Sequence, residues 1–286
     1  MNKKQSRRLF LAPITIFLLL LTIFPFVYLI ITSLTDRAAT SPSTNFVGLA
    51  NYKEIFLDAE FRYSLLVTFV ITFCSVSVQV IFGLILALSF SNIRSNLWLL
   101  RALYLIPMAA APVATLFNWR FMLSSSSGII NYIISFLGIS EVGWLDSRTM
   151  ALISIIMVET WLWTPFVFVI LSAAISSIDP SVLDAAAIDG AGRIRIAVSI
   201  YIPMIKPFLI IALVLRIIDS AKSFDTIQIL TQGGPGYDTA SFNFLIFKNA
   251  IEYLNFGYAS AEAIVLLVIL LVISRFLFNK IKVIEG

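Results

Sequence analysis

An acidic residue stands inside a long apolar segment, 150–175, close to aromatic residues. Glu159, Trp163 and Phe166 fall at helical spacing, so they share one face of a helix. A carboxylate accepts hydrogen bonds from hydroxyl groups, and an aromatic ring covers the apolar face of a sugar. Because ionisable residues within a membrane span usually face a cavity, this pattern indicates a solute contact. In the alternative interpretation, Glu159 is tied to a neighbouring helix and Trp163 forms an interfacial aromatic belt with Trp161.

A second group of charges follows at near-helical steps in the segment 205–225. Its members are Arg216, Asp219, Lys222 and Asp225. They can pair with one another along the helix, which lowers the cost of burying them. They can equally line a polar path for hydroxyl-rich solutes, and the sequence does not decide between these roles. Asn118, near the end of the third apolar segment, is a further candidate for the solute path.

Polar and small residues separate the fourth and fifth apolar segments, which places this stretch in a loop at the membrane surface. Asp179 before Pro180 predicts a helix start, because an Asp side chain caps free N–H groups and proline suits the first helical position. Gly190 suits the left-handed residue that ends a helix. A second short helix is expected over 193–202, ended by Pro203. We therefore predict a helix–turn–helix knob.

The surface of this knob suits a protein partner. Ala185 and Ala186 leave a smooth surface that a partner can approach closely, and Asp184 and Asp189 offer charges for pairing with basic residues. Two short, capped helices deform little, so such an element can transmit force. In the alternative interpretation, the stretch is a solvated connector between two helices.

The elements that position these residues are long apolar segments. Of the 286 residues, 59% are hydrophobic and 13% charged, about half the charge of a soluble domain. A bilayer-spanning helix needs about 20 mostly apolar residues. We predict an all-α, polytopic membrane protein with a single transmembrane domain over 1–286. Its six transmembrane helices are expected at 9–31, 64–90, 97–120, 150–175, 205–225 and 259–280.

Two prolines, Pro107 and Pro112, interrupt the third predicted helix. Prolines within a span free backbone carbonyls, which need partners among neighbouring helices or water. This pattern fits a bundle around a wet cavity, and it also fits a packed bundle with ordinary kinks.

Basic residues indicate the orientation. They precede the first span and flank the segments after the second, fourth and sixth spans: Lys3, Lys4, Arg7, Arg8, Arg94, Arg101, Arg193, Arg195, Lys206, Arg275, Lys280 and Lys282. By the positive-inside rule, both termini are then cytoplasmic, and the knob lies on the cytoplasmic side. The orientation therefore follows from the basic residues alone, without reference to the sequence pattern of the knob.

Three stretches resemble one family. Asp184-Ala185-Ala186, Gly190, Ile200, Ile202 and Pro203 follow the spacing of the coupling loop of ATP-binding-cassette (ABC) importer permeases. Phe46 to Tyr52, and the outer loop Leu230 to Pro235 with its Gly233-Gly234-Pro235, are similar to motifs of the maltose-type branch, which handles carbohydrates, polyols and glycerol phosphate. The resemblance implies the type I importer permease fold.

The resemblance also implies a function and partners. The chain would form half of a solute pathway and couple it to a separate ATPase through the loop 184–203. Implied partners are a second, similar permease subunit, an ABC ATPase dimer that binds ATP and Mg²⁺, an extracytoplasmic solute-binding protein, and the lipid of a prokaryotic inner membrane. The family usually has Glu at position 184 and often aromatics in place of Ile194 and Ala197. These departures concern the strength of docking more than docking itself.

Residue types and motifs that the sequence lacks exclude several classes of function. The chain has no histidine, and Cys74 is its single cysteine, so disulfides and histidine-based catalysis are excluded and a metal site is disfavoured. No phosphate-binding G-x-x-x-x-G-K-S/T motif occurs. We therefore expect no cofactor in this chain and no enzyme activity of its own. The cytoplasmic flanks explain the net charge of +4, which gives no reason to expect nucleic acid.

Two other functions compete with the importer hypothesis. A self-contained carrier driven by an ion gradient would use Glu159 or Asp219 as its ion site, although no inverted repeat is evident. A membrane-embedded enzyme is disfavoured, because histidine and acidic pairs at metal-ligand spacing are lacking. The solute stays open among disaccharide, polyol and glycerol phosphate.

Overall fold

The described residues form helices and no β-sheet, in a computed structural model that describes residues 3–41, 43–91 and 98–285. The helices are α1 Lys3–Ser33, α2 Ala50–Leu57, α3 Ala59–Ser91, α4 Trp98–Ala109, α5 Pro112–Met122, α6 Ile129–Ser135, α7 Arg148–Ser176, α8 Pro180–Ile188, α9 Arg193–Ile196, α10 Ile202–Ala221, α11 Asp225–Leu230, α12 Phe242–Phe247 and α13 Phe256–Glu285. Short π-helical segments cover Ala197–Tyr201 and Lys248–Glu252. The all-α prediction is confirmed. Arg94, one of the basic residues that indicate the orientation, lies outside the described residues.

Five helical segments among the described residues are long and apolar enough to cross a membrane, and a sharply bent pair makes a sixth. The five are Leu11–Ser33, Ala59–Ser91, Arg148–Ser176, Arg193–Ala221 and Phe256–Leu277. The prediction of a multi-pass membrane protein is confirmed. The chain divides into two compact units, 1–62 with 245–269 and 63–244 with 270–286. The single transmembrane domain over 1–286 stays a prediction.

The third predicted span, 97–120, is broken into α4 and α5. The two helices meet at an angle of 95°. Ala111 is extended (φ −61°, ψ 116°) because the ring of Pro112 disfavours the helical conformation in the preceding residue. Pro112 then suits the first position of α5, where its missing N–H costs nothing. The interruption expected at the prolines of this span is therefore a sharp bend between two helices.

The fifth predicted span, 205–225, is wrong at both ends. The helix expected to stop at Pro203 continues from α9 through the π-helical segment into α10. Proline lacks an N–H and collides with the carbonyl four residues earlier, and a π turn just before Pro203 widens the helix at this point. At the other end α10 stops at Ala221, so Lys222 and Asp225 are not part of the same helix as Arg216.

In the larger unit, α7 is the most buried of the spanning helices. Half of the residues in its most apolar stretch are buried. Gly83 of α3 allows close packing on α7, because a Cβ at position 83 would lie 2.7 Å from the side chain of Val167. Apolar residues of α3, α5, α7, α11 and α12 share one buried cluster, and a second cluster joins α3, α7 and α10. These contacts bring α5, α10 and α11 together with α7.

In the smaller unit, polar contacts join the end of α1 to α2. The amide of Asn51 donates to the carbonyl oxygens of Ser33 and Thr35 at 2.8 and 2.9 Å. The hydroxyl of Tyr52 lies 2.7 Å from that of Ser33. Gly257, the second residue of α13, lies against the same turn, since a Cβ there would lie 2.1 Å from the carbonyl oxygen of Thr35. The stretch Phe46 to Tyr52 therefore has a structural role.

Candidate functional site

Helix α7 places the carboxylate of Glu159 in the interior of the larger unit. Its side chain is 1% exposed. The Ser223 hydroxyl donates a hydrogen bond to its Oε1 at 2.8 Å, and the Thr226 hydroxyl donates to the same oxygen. Both hydroxyls come from the segment that follows α10. The break at Ala221 therefore lets the chain turn back and satisfy one oxygen of a buried carboxylate.

The guanidinium of Arg216, on α10, faces the same carboxylate. Its Nη2 lies 3.8 Å from Glu159 Oε2, and its Nη1 lies 3.5 Å from Asp219 Oδ2. The guanidinium carbon lies 4.4 Å from the centroid of the Trp163 ring. An arginine that stacks on an indole while it faces two carboxylates is held by both cation–π and Coulomb attraction.

Gln79 of α3 completes the group, and sequence reasoning missed it. Arg216 Nε donates to Gln79 Oε1 at 2.9 Å, and Gln79 Nε2 donates to the backbone oxygen of Glu159 at 3.1 Å. The side chain of Gln79 is fully buried. A lone amide in the middle of an apolar span is the signal that could have identified it.

Several polar atoms of this group make no hydrogen bond with other protein groups. They are Glu159 Oε2 and the two terminal nitrogens of Arg216, all buried. Glu159 and Arg216 both line a cavity of about 200 Å³. A buried polar atom without a hydrogen bond costs about 1–3 kcal/mol, and more when it is charged. The group therefore holds charges whose hydrogen bonds are incomplete, beside a cavity that the same two residues line.

Five of the predicted path residues meet at this cavity. They are Glu159, Trp163, Asp219, Lys222 and Asp225. Asp219 also pairs with Lys222 at 3.7 Å, and both side chains are about half exposed. Asp225 begins α11 instead of continuing α10.

Two predicted path residues lie elsewhere. Phe166 packs against the buried cluster that joins α3, α7 and α10, and Asn118 is exposed on α5; neither lines the cavity. The two tryptophans also differ. Trp163 faces Arg216, whereas Trp161 is 41% exposed and packs edge-on against Trp119.

The first helix of the predicted knob, α8, begins and ends as its residues indicate. Asp179 caps α8 by accepting a hydrogen bond from the backbone N–H of Ser181 at 2.8 Å. This hydrogen bond lowers the pKa of Asp179. Gly190 has a φ of +73°, and the N–H groups of Gly190 and Ala191 donate to the carbonyls of Ala187 and Ala186. This pair of hydrogen bonds is the Schellman arrangement that closes a helix.

The knob presents a mostly exposed surface. Of the predicted coupling residues, Asp184, Ala185, Asp189, Gly190 and Pro203 are exposed, and Ala186 and Ile200 are half-buried. Ile188 and Ile194 are 87% and 82% exposed. Leu183 packs inward against the buried cluster that joins α3, α7 and α10. Two large apolar side chains in solvent beside two carboxylates are typical of a surface that a protein partner covers.

The loop that contains Gly233, Gly234 and Pro235 is tightly folded. Gly233 has a φ of +80°, and a Cβ there would lie 2.6 Å from the ring of Phe244. The hydroxyl of Thr239 lies 2.8 Å from both the hydroxyl of Thr231 and the carbonyl oxygen of Gly234. The backbone conformation and close packing of this loop therefore explain why the Gly-Gly-Pro motif stands here.

A second buried acid, Glu262, was also missed by sequence reasoning. It lies near the start of α13 in the smaller unit, with no exposed surface, and accepts a hydrogen bond from Asn249 at 2.8 Å. An acidic residue within the last apolar segment was the available signal. No cluster of three or more potential metal ligands occurs within the ranges 3–41, 43–91 and 98–285.

A cavity lined by charged residues of α7 and α10, in a chain with several apolar spans, is typical of a membrane transport protein. The family model for the inner membrane component of binding-protein-dependent transport systems matches residues 60–281. The chain belongs to this family. Multi-pass placement in the inner membrane and the absence of enzyme activity of its own follow from membership, because ATP hydrolysis in these importers belongs to a separate ATPase. The ion-coupled carrier is not supported.

Two relatives of the chain are permeases of named transport systems. The chain is 38% identical to the trehalose/maltose transport system permease protein MalF of Thermococcus litoralis over 267 residues, which cover 93% of this chain and 89% of that protein. It is 33% identical to the sulfoquinovosyl glycerol transport system permease protein SmoG of Agrobacterium fabrum over 261 residues, which cover 90% and 84%. The resemblance to carbohydrate-type importer permeases is confirmed.

A solved structure shares the fold. One chain of a bacterial alginate ABC transporter, crystallised in complex with an alginate pentasaccharide-bound periplasmic protein, matches with a TM-score of 0.86. The match covers 96% of this chain and 93% of that chain at 22% sequence identity. This likeness supports the importer permease fold.

Proposed function

We propose that the chain forms half of the translocation pathway for a sugar or polyol. The observation that carries this proposal is the cavity of about 200 Å³ at which Glu159 and Arg216 have buried atoms without hydrogen bonds. Sugar hydroxyls donate to carboxylate oxygens and accept from guanidinium N–H groups. The Trp163 ring beside Arg216 provides an apolar face at the same place. The relatives named for trehalose, maltose and sulfoquinovosyl glycerol support this class of solute.

The proposed energy source is a separate ABC ATPase dimer, which binds ATP and Mg²⁺. The loop 184–203 docks on it and couples hydrolysis to opening of the pathway. Supporting this role are the exposed side chains of Ile188 and Ile194 and the exposed carboxylates of Asp184 and Asp189. The capped start and Schellman end of α8 keep this surface rigid.

The proposed assembly contains three further kinds of partner. A second, similar permease subunit supplies the other half of the pathway, an extracytoplasmic binding protein delivers the solute, and membrane lipid surrounds the spans. Both termini and the loop 184–203 face the cytoplasm, in keeping with the distribution of basic residues. The family's dependence on a binding protein agrees with this assembly.

The test begins with extraction of the tagged chain from its native membrane and mass spectrometry of what co-purifies. We expect an ABC ATPase and a second multi-span permease. The purified complex is then placed in liposomes with its binding protein outside and ATP inside. Radiolabelled maltose, trehalose, sorbitol and glycerol phosphate are offered in turn. We expect uptake of one of these hydroxyl-rich solutes that requires ATP.

Ionophores provide the control. Uptake should persist when they dissipate proton and sodium gradients while ATP is present. Loss of uptake under those conditions would contradict the proposal, as would recovery of the chain alone in a stable, transport-competent form. Failure of all four solutes with a functional ATPase would remove the sugar or polyol assignment.

A further inference from the structure

A second and larger cleft lies in the same unit as the cavity. Its volume is about 930 Å³. Phe117 and Phe121 of α5 line it with rings that are 45% and 72% exposed. Three consecutive serines, Ser124 to Ser126, and the carboxylate of Asp146 add polar groups, and Pro235 of the Gly-Gly-Pro loop completes the lining. Aromatic faces beside hydroxyls and a carboxylate match the alternating apolar and polar faces of a sugar.

The cleft and the cavity use the same pair of helices. Pro112 and Leu116, in the first half of α5, line the cavity, whereas Arg120 in the second half lines the cleft. Helix α11 repeats this order, because Thr226 lines the cavity and Leu230 lines the cleft. Four residues of helix correspond to about 6 Å, so the two spaces are close neighbours along α5.

An apolar layer lies along this pair of helices. Leu116 and Leu230 are each 1% exposed and belong with Ile227 to one buried cluster. One member lines the cavity and another lines the cleft. A polar solute cannot cross such a layer until the helices separate, because its hydroxyls would lose hydrogen bonds.

The walls of the cleft are held by their own hydrogen bonds. Arg120 Nη1 donates to the carbonyl oxygen of Ile229 at 2.8 Å and so ties α5 to α11. The hydroxyl of Ser125 donates to Asp146. Tyr63 donates to Asp238 at 3.0 Å and thereby ties α3 to the Gly-Gly-Pro loop. These hydrogen bonds hold the cleft in shape while the apolar layer is closed, which reduces the entropy cost of binding a solute there, and the bond from Arg120 must break when α5 and α11 part.

We infer that this cleft is an entry vestibule, a second sugar contact that precedes the cavity. The sugar rests on Phe117 and Phe121 and exchanges hydrogen bonds with the serine hydroxyls and Asp146. It reaches Glu159 when the apolar layer between α5 and α11 parts. The inference rests on the proposed sugar or polyol pathway. It adds a place where the solute binds before it reaches the buried charges.

The test uses the single cysteine of the chain. Cys74 is replaced by serine, and Ser126→Cys is introduced in that background, because position 126 is exposed and lines the cleft. The complete importer is placed in liposomes with its binding protein outside and ATP inside. A bulky, membrane-impermeant maleimide is added outside, and uptake of maltose, trehalose and sorbitol is measured before and after labelling. Ser135→Cys, exposed on α6 and outside the cleft, is the matched control.

We expect labelling at position 126 to abolish most uptake while ATP hydrolysis stimulated by the binding protein persists. Labelling at position 135 should change neither activity. Full uptake by the labelled 126 variant would overturn the vestibule and leave the proposed function intact. Loss of both uptake and stimulated hydrolysis would overturn it in favour of a docking site for the binding protein. If the unlabelled importer takes up neither sugar nor polyol, the proposed function fails and the vestibule falls with it.

Discussion

The guanidinium of Arg216 stacks on the indole of Trp163, with 4.4 Å between the guanidinium carbon and the ring centroid. Arg216 is fully buried, and its terminal nitrogens have ion-pair partners without hydrogen bonds. The indole face therefore supports a charge whose hydrogen bonds are incomplete. A solute that binds here meets the aromatic ring and the guanidinium together.

Replacement of Trp163 by leucine should weaken solute transport. The change removes the aromatic face offered to the solute and the cation–π contact that holds Arg216 in place. A loss of about 1–2 kcal/mol in solute binding corresponds to about 5- to 30-fold in affinity. The measurement is the concentration dependence of uptake in liposomes that contain the complete importer. Trp161→Leu is the matched control, because Trp161 lies two residues away, packs on Trp119 and does not line the cavity. Equal effects of both substitutions would contradict a solute role for Trp163.

Single replacements of Glu159 or Arg216 should destabilise the protein more than their joint replacement does. Removing one member of a buried ion pair leaves the other uncompensated and costs about 3–5 kcal/mol. Glu159→Leu, Arg216→Met and the double variant are compared by thermal unfolding in detergent. We expect the double variant to unfold at a higher temperature than either single variant. Strictly additive losses would show that the two charges are not coupled.

Gly83 should tolerate no side chain. A Cβ at this position would lie 2.7 Å from Val167 and 3.2 Å from the backbone nitrogen of Phe168. Gly83→Ala is therefore expected to force α3 away from α7 and cost about 1–3 kcal/mol, measured by thermal unfolding of the purified protein. Gly192→Ala is the control, since nothing lies within 4 Å of its Cβ position. A Gly83→Ala protein as stable as the control would show that α3 and α7 pack less closely.

The fold was more predictable than the site. Apolar segments long enough to span a bilayer are a local property, as are the cap at Asp179 and the stop at Gly190, and these are visible in the sequence. The end of α10 at Ala221 was not predictable, because Ser223 there bonds to Glu159, 64 positions earlier in the chain. Contacts between distant segments leave no periodic pattern.

The residues that surround Glu159 and Arg216 were also not fully predictable from the sequence. Gln79 contacts Arg216 from a helix that is 137 positions away in sequence. Helical spacing placed Phe166 on the face of Glu159, but packing of α3 and α10 around α7 turns Phe166 towards a buried cluster. Spacing predicts which residues share a helix, whereas the neighbours of that helix decide which of them reach the cavity.

Replacement of Ile194 by aspartate should weaken docking of the ATPase without destabilising the fold. Ile194 is 82% exposed on α9, so an added charge there costs little stability in the isolated chain. At an interface with an ATPase, the same charge would lose solvent without a partner and weaken docking by about 2 kcal/mol or more. The measurements are the amount of ATPase that co-purifies and the uptake rate in liposomes. Ile139→Asp, 48% exposed in the segment between α6 and α7, is the matched control. We expect that only Ile194→Asp loses the ATPase, at an unchanged unfolding temperature. If that variant retains both the ATPase and uptake, the loop 184–203 is only a connector.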